Sequence, residues 1–171
     1  MTNKIIGIQG DKLDKINISS DTSIFLAYEA QKLGYKIFYY TPSNLSIIKN
    51  KTYANGVFVK LNYERKKFYK IFKKQKIDVE NFKFILIRQD PPFNSEYLIT
   101  TLILDNLKKT RVINNPMAIR NVSEKLYSKK FTKYMPDTIF SNNIEEVKKF
   151  YKQNKSIIMK PINGYGGNQI Y

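Results

Sequence analysis

The chain has 171 residues, a formal net charge of +16, and neither cysteine nor histidine. Its length suits one large domain or two small ones, with ample apolar content for a core. The missing residue types exclude disulfides, thiolate metal sites, histidine-based triads and imidazole proton shuttles within this chain.

Residues 1–6 (MTNKII) pass into a strand pattern without signal-peptide architecture. No apolar run reaches the roughly 18 residues of a membrane helix, so a cytoplasmic protein with no membrane partner is expected. Residues 4–9 (KIIGIQ) suit a first, buried parallel strand. A polar loop over 10–20 comes next, with Asp11 and Asp14 in it. It reads either as a solvated connection or as a substrate contact over a neighbouring site. Asp21-Thr22-Ser23 opens a helix over 24–33, capped by Ser20 or Asp21, with Gly34 at the C′ position. Residues 36–40 (KIFYY) form the second strand, ended by Thr41-Pro42. The first turn is long and lacks G-x-G-x-x-G, so this βαβ opening carries no dinucleotide fingerprint. Short β segments are expected at 46–48, 52–54 and 57–59, with Asn55-Gly56 as a hairpin turn. Residues 65–74 read as a basic helix with Phe68, Ile71 and Phe72 on one face.

Residues 83–87 (KFILI) form another buried strand, running into Arg88-Gln89-Asp90-Pro91-Pro92-Phe93. Ligands of open α/β sheets bind beyond the carboxyl ends of strands. Arg88 and Asp90, on a proline-stiffened loop at such an end, either meet a zwitterionic substrate or staple the loop as an ion pair. A helix capped by Asn94 or Ser95 carries Tyr97, Leu98, Ile99, Leu102, Ile103, Leu104 and Leu107 and is expected to be largely buried. A short strand is expected over 111–114, then a turn or short helix over 116–121 and a helix over 123–131. A strand over 138–140 and a helix from about 144 to 153 come next, with Asn142 and Glu145 at capping-box spacing. The boundary between an N-terminal α/β domain and a second unit falls in 115–135. Ile157-Ile158-Met159 reads as a strand that delivers Lys160 into a loop with Gly164, Gly166 and Gly167. A lysine beside glycine N–H groups suits phosphate oxygens. The loop also fits an ordinary turn. It is not a Walker loop, because the lysine precedes the glycines. Gln169-Ile170-Tyr171 reads as the start of a return strand.

The segments Ile87-Arg88-Gln89-Asp90-Pro91-Pro92-Phe93, Ile113-Asn114-Asn115-Pro116, Ser123-Glu124-Lys125-Leu126 and Met159-Lys160-Pro161-Ile162-Asn163-Gly164-Tyr165-Gly166-Gly167 together resemble the bacterial-type glutathione synthetases, which are ATP-grasp ligases. The likeness covers essentially the whole chain. It implies an α/β fold: an open parallel-sheet pre-ATP-grasp domain over 1–121, followed by an incomplete first ATP-grasp subdomain over 122–171. Lys125 and Lys160 then match nucleotide-binding lysines, and Gly164, Gly166 and Gly167 match a mobile loop over the phosphates. Arg88 and Asp90, with Asp21, Thr22 and Ser23, fall on the dipeptide side. The implied reaction joins γ-glutamylcysteine to glycine through an acyl phosphate, using ATP and Mg2+. The metal ligands are expected in a C-terminal part that this sequence does not contain, and no residue here is singled out as catalytic.

On that resemblance the chain is expected to be a truncated gene, a partial sequence or one piece of a split enzyme, inactive alone. A homo-oligomer is among the expected assemblies. Alternatives are another ATP-grasp carboxylate–amine ligase, a non-catalytic remnant that merely folds or associates through an exposed strand edge, and a basic nucleic-acid-binding module. Against the last, the charge comes from 26 lysines and only 4 arginines, in a chain rich in Ile, Asn and Tyr. Such composition reflects A+T-rich codons, whereas nucleic-acid readers favour arginine. The pairs Lys66-Lys67, Lys73-Lys74 and Lys108-Lys109 are scattered. Salt-sensitive attraction to polyanions is expected, without a specific nucleic-acid partner.

Overall fold

A computed structural model of the chain describes residues 4–63 and 67–171. The chain divides into two compact units, Met1–Arg120 and Asn121–Tyr171. The first runs in the order β1 (Ile5–Gln9), α1 (Thr22–Lys32), β2 (Lys36–Tyr40), β3 (Leu45–Ile48), β4 (Lys51–Leu61), β5 (Tyr69–Asp78), β6 (Phe84–Ile87), α2 (Ser95–Asp105), β7 (Arg111–Ile113) and α3 (Pro116–Asn121). Strand β1 pairs in parallel with β2 on one side and β6 on the other, and β7 continues the parallel set beside β6. Strand β4 extends the sheet in the antiparallel sense. One of its edges meets β3 and then β2, and the other meets β5.

Period-two alternation puts an apolar side chain on each face of this sheet. Ile6, Ile8, Ile37, Tyr39 and Val59 pack with Ile24 and Ala27 of α1, while Phe38, Tyr40, Phe58, Ile85 and Ile87 pack with Leu104 of α2. Asp21 caps α1 by accepting the Ile24 N–H at 2.7 Å, and Gly34 ends the helix at φ 84°. Asn94 caps α2 by accepting the Tyr97 N–H at 3.0 Å.

Three local expectations give way in this unit. The β3–β4 turn is Lys49-Asn50, both at positive φ (47° and 62°), as a two-residue primed turn requires. Asn55-Gly56 lies inside β4, where a Cβ on Gly56 would stand 2.7 Å from the Phe38 ring; this glycine serves close packing. The expected helix over 65–74 is strand β5 from Tyr69 onward, and Arg65 and Lys66 lie outside the described residues. In the β4–β5 register Val59 faces Ile71 and Phe58 faces Lys73, so Phe72 is the extra residue of a bulge. That bulge interrupts the alternation and leaves an i, i+3, i+4 spacing that mimics a helix. Helix α2 is also less buried than expected. Its inward stripe is Thr100, Thr101 and Leu104, whereas Ile99 is 54% exposed and Leu102 47%. The two threonines satisfy their hydroxyls on the carbonyls of Tyr97 and Leu98.

In the second unit a 3-10 stretch, Leu126–Tyr134, takes the place of the expected helix over 123–131, and α4 spans Ile144–Asn154. Asn143, one residue later than expected, caps α4 through the Glu145 N–H at 2.9 Å. Residues 138–140 and 156–159 form no strand ladder. Met159 and Tyr171 alone exchange both backbone hydrogen bonds, at 2.8 and 3.1 Å, and so close the loop between them. No described residue of this unit is fully buried.

Glu80, in the turn before β6, accepts the backbone N–H groups of Lys108 (2.6 Å), Lys109 (2.9 Å) and Thr110 (2.8 Å). Partial burial pushes its pKa up, but the three donors and the Lys109 charge pull harder, and it lies below the ordinary glutamate value. Glu80 therefore stabilises the fold fully above the unfolded pKa of about 4.3, and that contribution is lost as pH falls through the lower folded value. Denaturant unfolding of the chain and of Glu80→Gln should show a stability gap at pH 7 that shrinks as the pH falls below the unfolded value of about 4.3. A gap independent of pH would contradict this.

Candidate functional site

The carboxyl ends of β1 and β6 carry the residues singled out in the first unit. Beyond β6 the Arg88 N–H still donates to the Gln9 carbonyl at 2.7 Å, so the strand's alternation runs on past its end. Arg88 consequently points to the α1 side and Gln89 to the α2 side. Arg88 Nε donates to Ser23 Oγ at 2.9 Å and Nη2 to Thr22 Oγ1 at 2.7 Å. Gln89 is buried and accepts from Gln9 Nε2. The Asp90 N–H donates to Asp11 Oδ2 at 2.8 Å, while Asp21 is spent on capping α1. Arg88 and Asp90 make no ion pair. Two hydroxyls hold the guanidinium instead and leave its Nη1 without a partner among the described residues.

Two tyrosines complete this cluster, and neither was marked by its spacing in the sequence. Tyr39 donates to the Asp11 carbonyl at 2.8 Å. Its phenol is held well above the usual range, first by burial and then by Asp21, Asp11 and Asp90. Tyr97, in the first turn of α2, is raised by burial; Arg88 opposes that rise, and Asp11 and Asp90 reinforce it. Both phenols thus stay neutral donors among one cation and several carboxylates. Chemically the cluster offers a guanidinium for a carboxylate and a rim of carboxylates for an ammonium. The signal for Asp11 was its position, two residues beyond the carboxyl end of β1. Tyr97 was hidden among the apolar residues of α2.

The second unit gathers its candidates as well. Lys125, Lys160, Gly164, Gly166 and Gly167 line one cavity of about 190 Å³, with Asn168 beside them. Gly166 (φ 61°) and Gly167 (φ 76°) occupy the left-handed region that glycine enters freely. Their N–H groups find no acceptor among the described residues. Lys125 donates to the carbonyl of Gly164 and, at 3.4 Å, to that of Ile162, with the Glu124 carboxylate at 4.0 Å. Its side chain is 18% exposed, whereas Lys160 is exposed and has no partner among the described residues. Two cations and two unpaired amides around one hollow can receive phosphate oxygens.

Residues 5–120 match the family model of the prokaryotic glutathione synthetase N-terminal domain. The chain belongs to this family. Residues 124–171 match the ATP-grasp domain of prokaryotic glutathione synthetase. Among curated proteins, the chain is 37% identical to the glutathione synthetase of Mesorhizobium japonicum, over 97% of this chain and 53% of the relative. It is 34% identical to that of Rhodopseudomonas palustris, over 97% and 53%. To that of Buchnera aphidicola subsp. Acyrthosiphon pisum it is 35% identical, over 97% and 52%. The chain thus spans about half the length of the curated relatives it matches. The glutathione synthetase family implies ATP and Mg2+. The Lys125–Lys160 cavity fits the phosphate end of a nucleotide. No group of three or more Asp or Glu that could hold a metal ion occurs among the described residues, and no magnesium ligand is assigned to this chain.

The Lys125 contacts tie the glycine loop to the segment before the 3-10 stretch. Lys125→Met should lower the heteronuclear NOE and the exchange protection of amides 162–168 and leave those of α4 unchanged. Loop amides as ordered as in the unsubstituted chain would contradict the tie.

Proposed function

We propose that the chain acts in glutathione synthesis, as part of an ATP-dependent carbon–nitrogen ligase that joins γ-glutamylcysteine to glycine. On this reading 1–121 is the pre-ATP-grasp domain and 122–171 the start of the ATP-grasp domain. The observation that carries it is the meeting of Lys125 and Lys160 with three loop glycines around one cavity.

When bound, ATP supplies the phosphoryl group that activates the cysteine carboxylate of the dipeptide, and phosphate leaves when the glycine amine attacks. Lys160 and Lys125 take the charge of the phosphate oxygens, each pair with a gross attraction of about 4 kcal/mol at 4 Å and an effective dielectric of ~20, before desolvation. The N–H groups of Gly166 and Gly167 add donors. For Lys125 to reach a phosphate it exchanges the carbonyls of Gly164 and Ile162 for it, which frees the loop to close and exclude water. On the dipeptide side, Arg88 receives a carboxylate, positioned by Thr22 and Ser23 on a helix start that Asp21 fixes. Asp90, with Asp11, receives an ammonium.

Calorimetric titration of ATP into the 171-residue chain tests the nucleotide half. Saturable binding at one site is expected, weakened about tenfold or more by Lys160→Met, equivalent to about 1.4 kcal/mol or more. Absent or non-saturable binding, or equal affinity in the variant, would overturn the reading.

A further inference from the structure

A second concavity lies in the first unit, at the end of the sheet opposite to Arg88. It has a volume of about 470 Å³, and its lining includes Ile5 and Lys36, the first residues of β1 and β2, with Phe58, Phe72, Lys73 and Gln75. None of these belongs to either cluster described above. Alternation places Lys36 on the face of Phe38, and Lys73 and Gln75 on the face of the buried Ile77. The bulge then brings Phe72 round beside Lys73, where its ring stacks on Phe58 at a centroid distance of 5.7 Å and an interplanar angle of 28°.

This arrangement is more than the fold requires. Phe58 is already buried beneath, and Phe72 lies over it 60% exposed. Lysines along the β5 edge that pairs with no other described strand discourage strand addition, but that role does not need an aromatic ring turned outward by a bulge. The other charged residues of the lining, Lys76 and Asp78, are otherwise engaged. Asp78 accepts the Glu80 N–H at 3.0 Å and lies 4.0 Å from Lys51, and the Lys76 ammonium sits over the Tyr53 ring at 5.0 Å. Lys36 and Lys73 have no carboxylate partner among the described residues. An open aromatic platform flanked by two unpaired ammonium groups complements one kind of ligand.

We infer that this groove binds a small anion with a flat aromatic body, its ring on Phe72 and its charge between Lys36 and Lys73. A planar group stacks on an exposed aromatic ring with little demand on its exact chemistry, and the two lysines fix the orientation of the charged end.

The test is titration of 2-naphthalenesulfonate into the full chain, monitored by amide NMR shifts. Saturable shifts confined to Lys36, Phe58, Phe72, Lys73, Gln75 and Ile77 are expected, with sulfate alone and neutral 2-naphthol alone each at least about tenfold weaker. Phe72→Ala and the double variant Lys36→Glu/Lys73→Glu should each weaken binding about tenfold or more while the rest of the spectrum is unchanged. The control Lys12→Glu/Lys74→Glu makes the same charge change outside the groove and should bind as the unsubstituted chain does. Shifts spread over lysines throughout the chain, sulfate binding as well as the sulfonate, or a control as weak as the groove variant would overturn the inference.

Discussion

A single ammonium group organises the second unit. Lys125 reaches from the segment before the 3-10 stretch to the carbonyls of Ile162 and Gly164, and this holds the glycine loop over the hollow that Lys160 also lines. The unit has no fully buried residue, among those described, to fix its loop by packing. The loop's position therefore rests on polar contacts: this lysine and the Met159–Tyr171 pair that closes its base. Such contacts are weak enough to exchange for those of a ligand. A loop locked by hydrophobic packing would need a larger rearrangement to admit one.

The first unit works by the opposite means. Its parallel strands are buried on both faces, and their rigidity carries past the last strand hydrogen bonds into Arg88-Gln89-Asp90. Gln89 anchors this extension from below by pairing with Gln9, while Arg88 is turned up to the hydroxyls of Thr22 and Ser23. The side chains of this cluster thus stand on a framework whose geometry is set by the sheet. The first unit has a rigid set of side chains, and the second, taken by itself, a loosely held loop.

The sequence conveyed the parallel framework well, because the apolar runs around Ile6, Phe38 and Ile85 are short, continuous and bounded by clear punctuation. The caps were narrowed to two neighbours each, Ser20 or Asp21 and Asn94 or Ser95, of which Asp21 and Asn94 accept the helix N–H groups. What failed was local periodicity without its tertiary partner. The Phe72 bulge shifted β5 out of phase and produced a helical spacing, and Asn55-Gly56 resembled a turn while serving close approach to Phe38. In α2, two threonines share the inward stripe with Leu104, while the larger Ile99 and Leu102 stay exposed. Candidate site residues were legible where glycines, lysines and strand ends marked them. Tyr39 and Tyr97 were not, since a tyrosine in a strand or helix reads as core until the charges around it are known.

The nucleotide reading stands or falls on whether one set of phosphates lies between Lys125 and Lys160 under the glycine loop. Paramagnetic relaxation by Mn2+–ATP in the amide NMR spectrum locates them. Selective broadening of Lys125, Lys160, Gly164, Gly166 and Gly167 is expected at low complex concentration, with β5 and α4 lysines unaffected. Broadening that bypasses these five residues, or that falls evenly on lysines across the chain, would contradict the assignment.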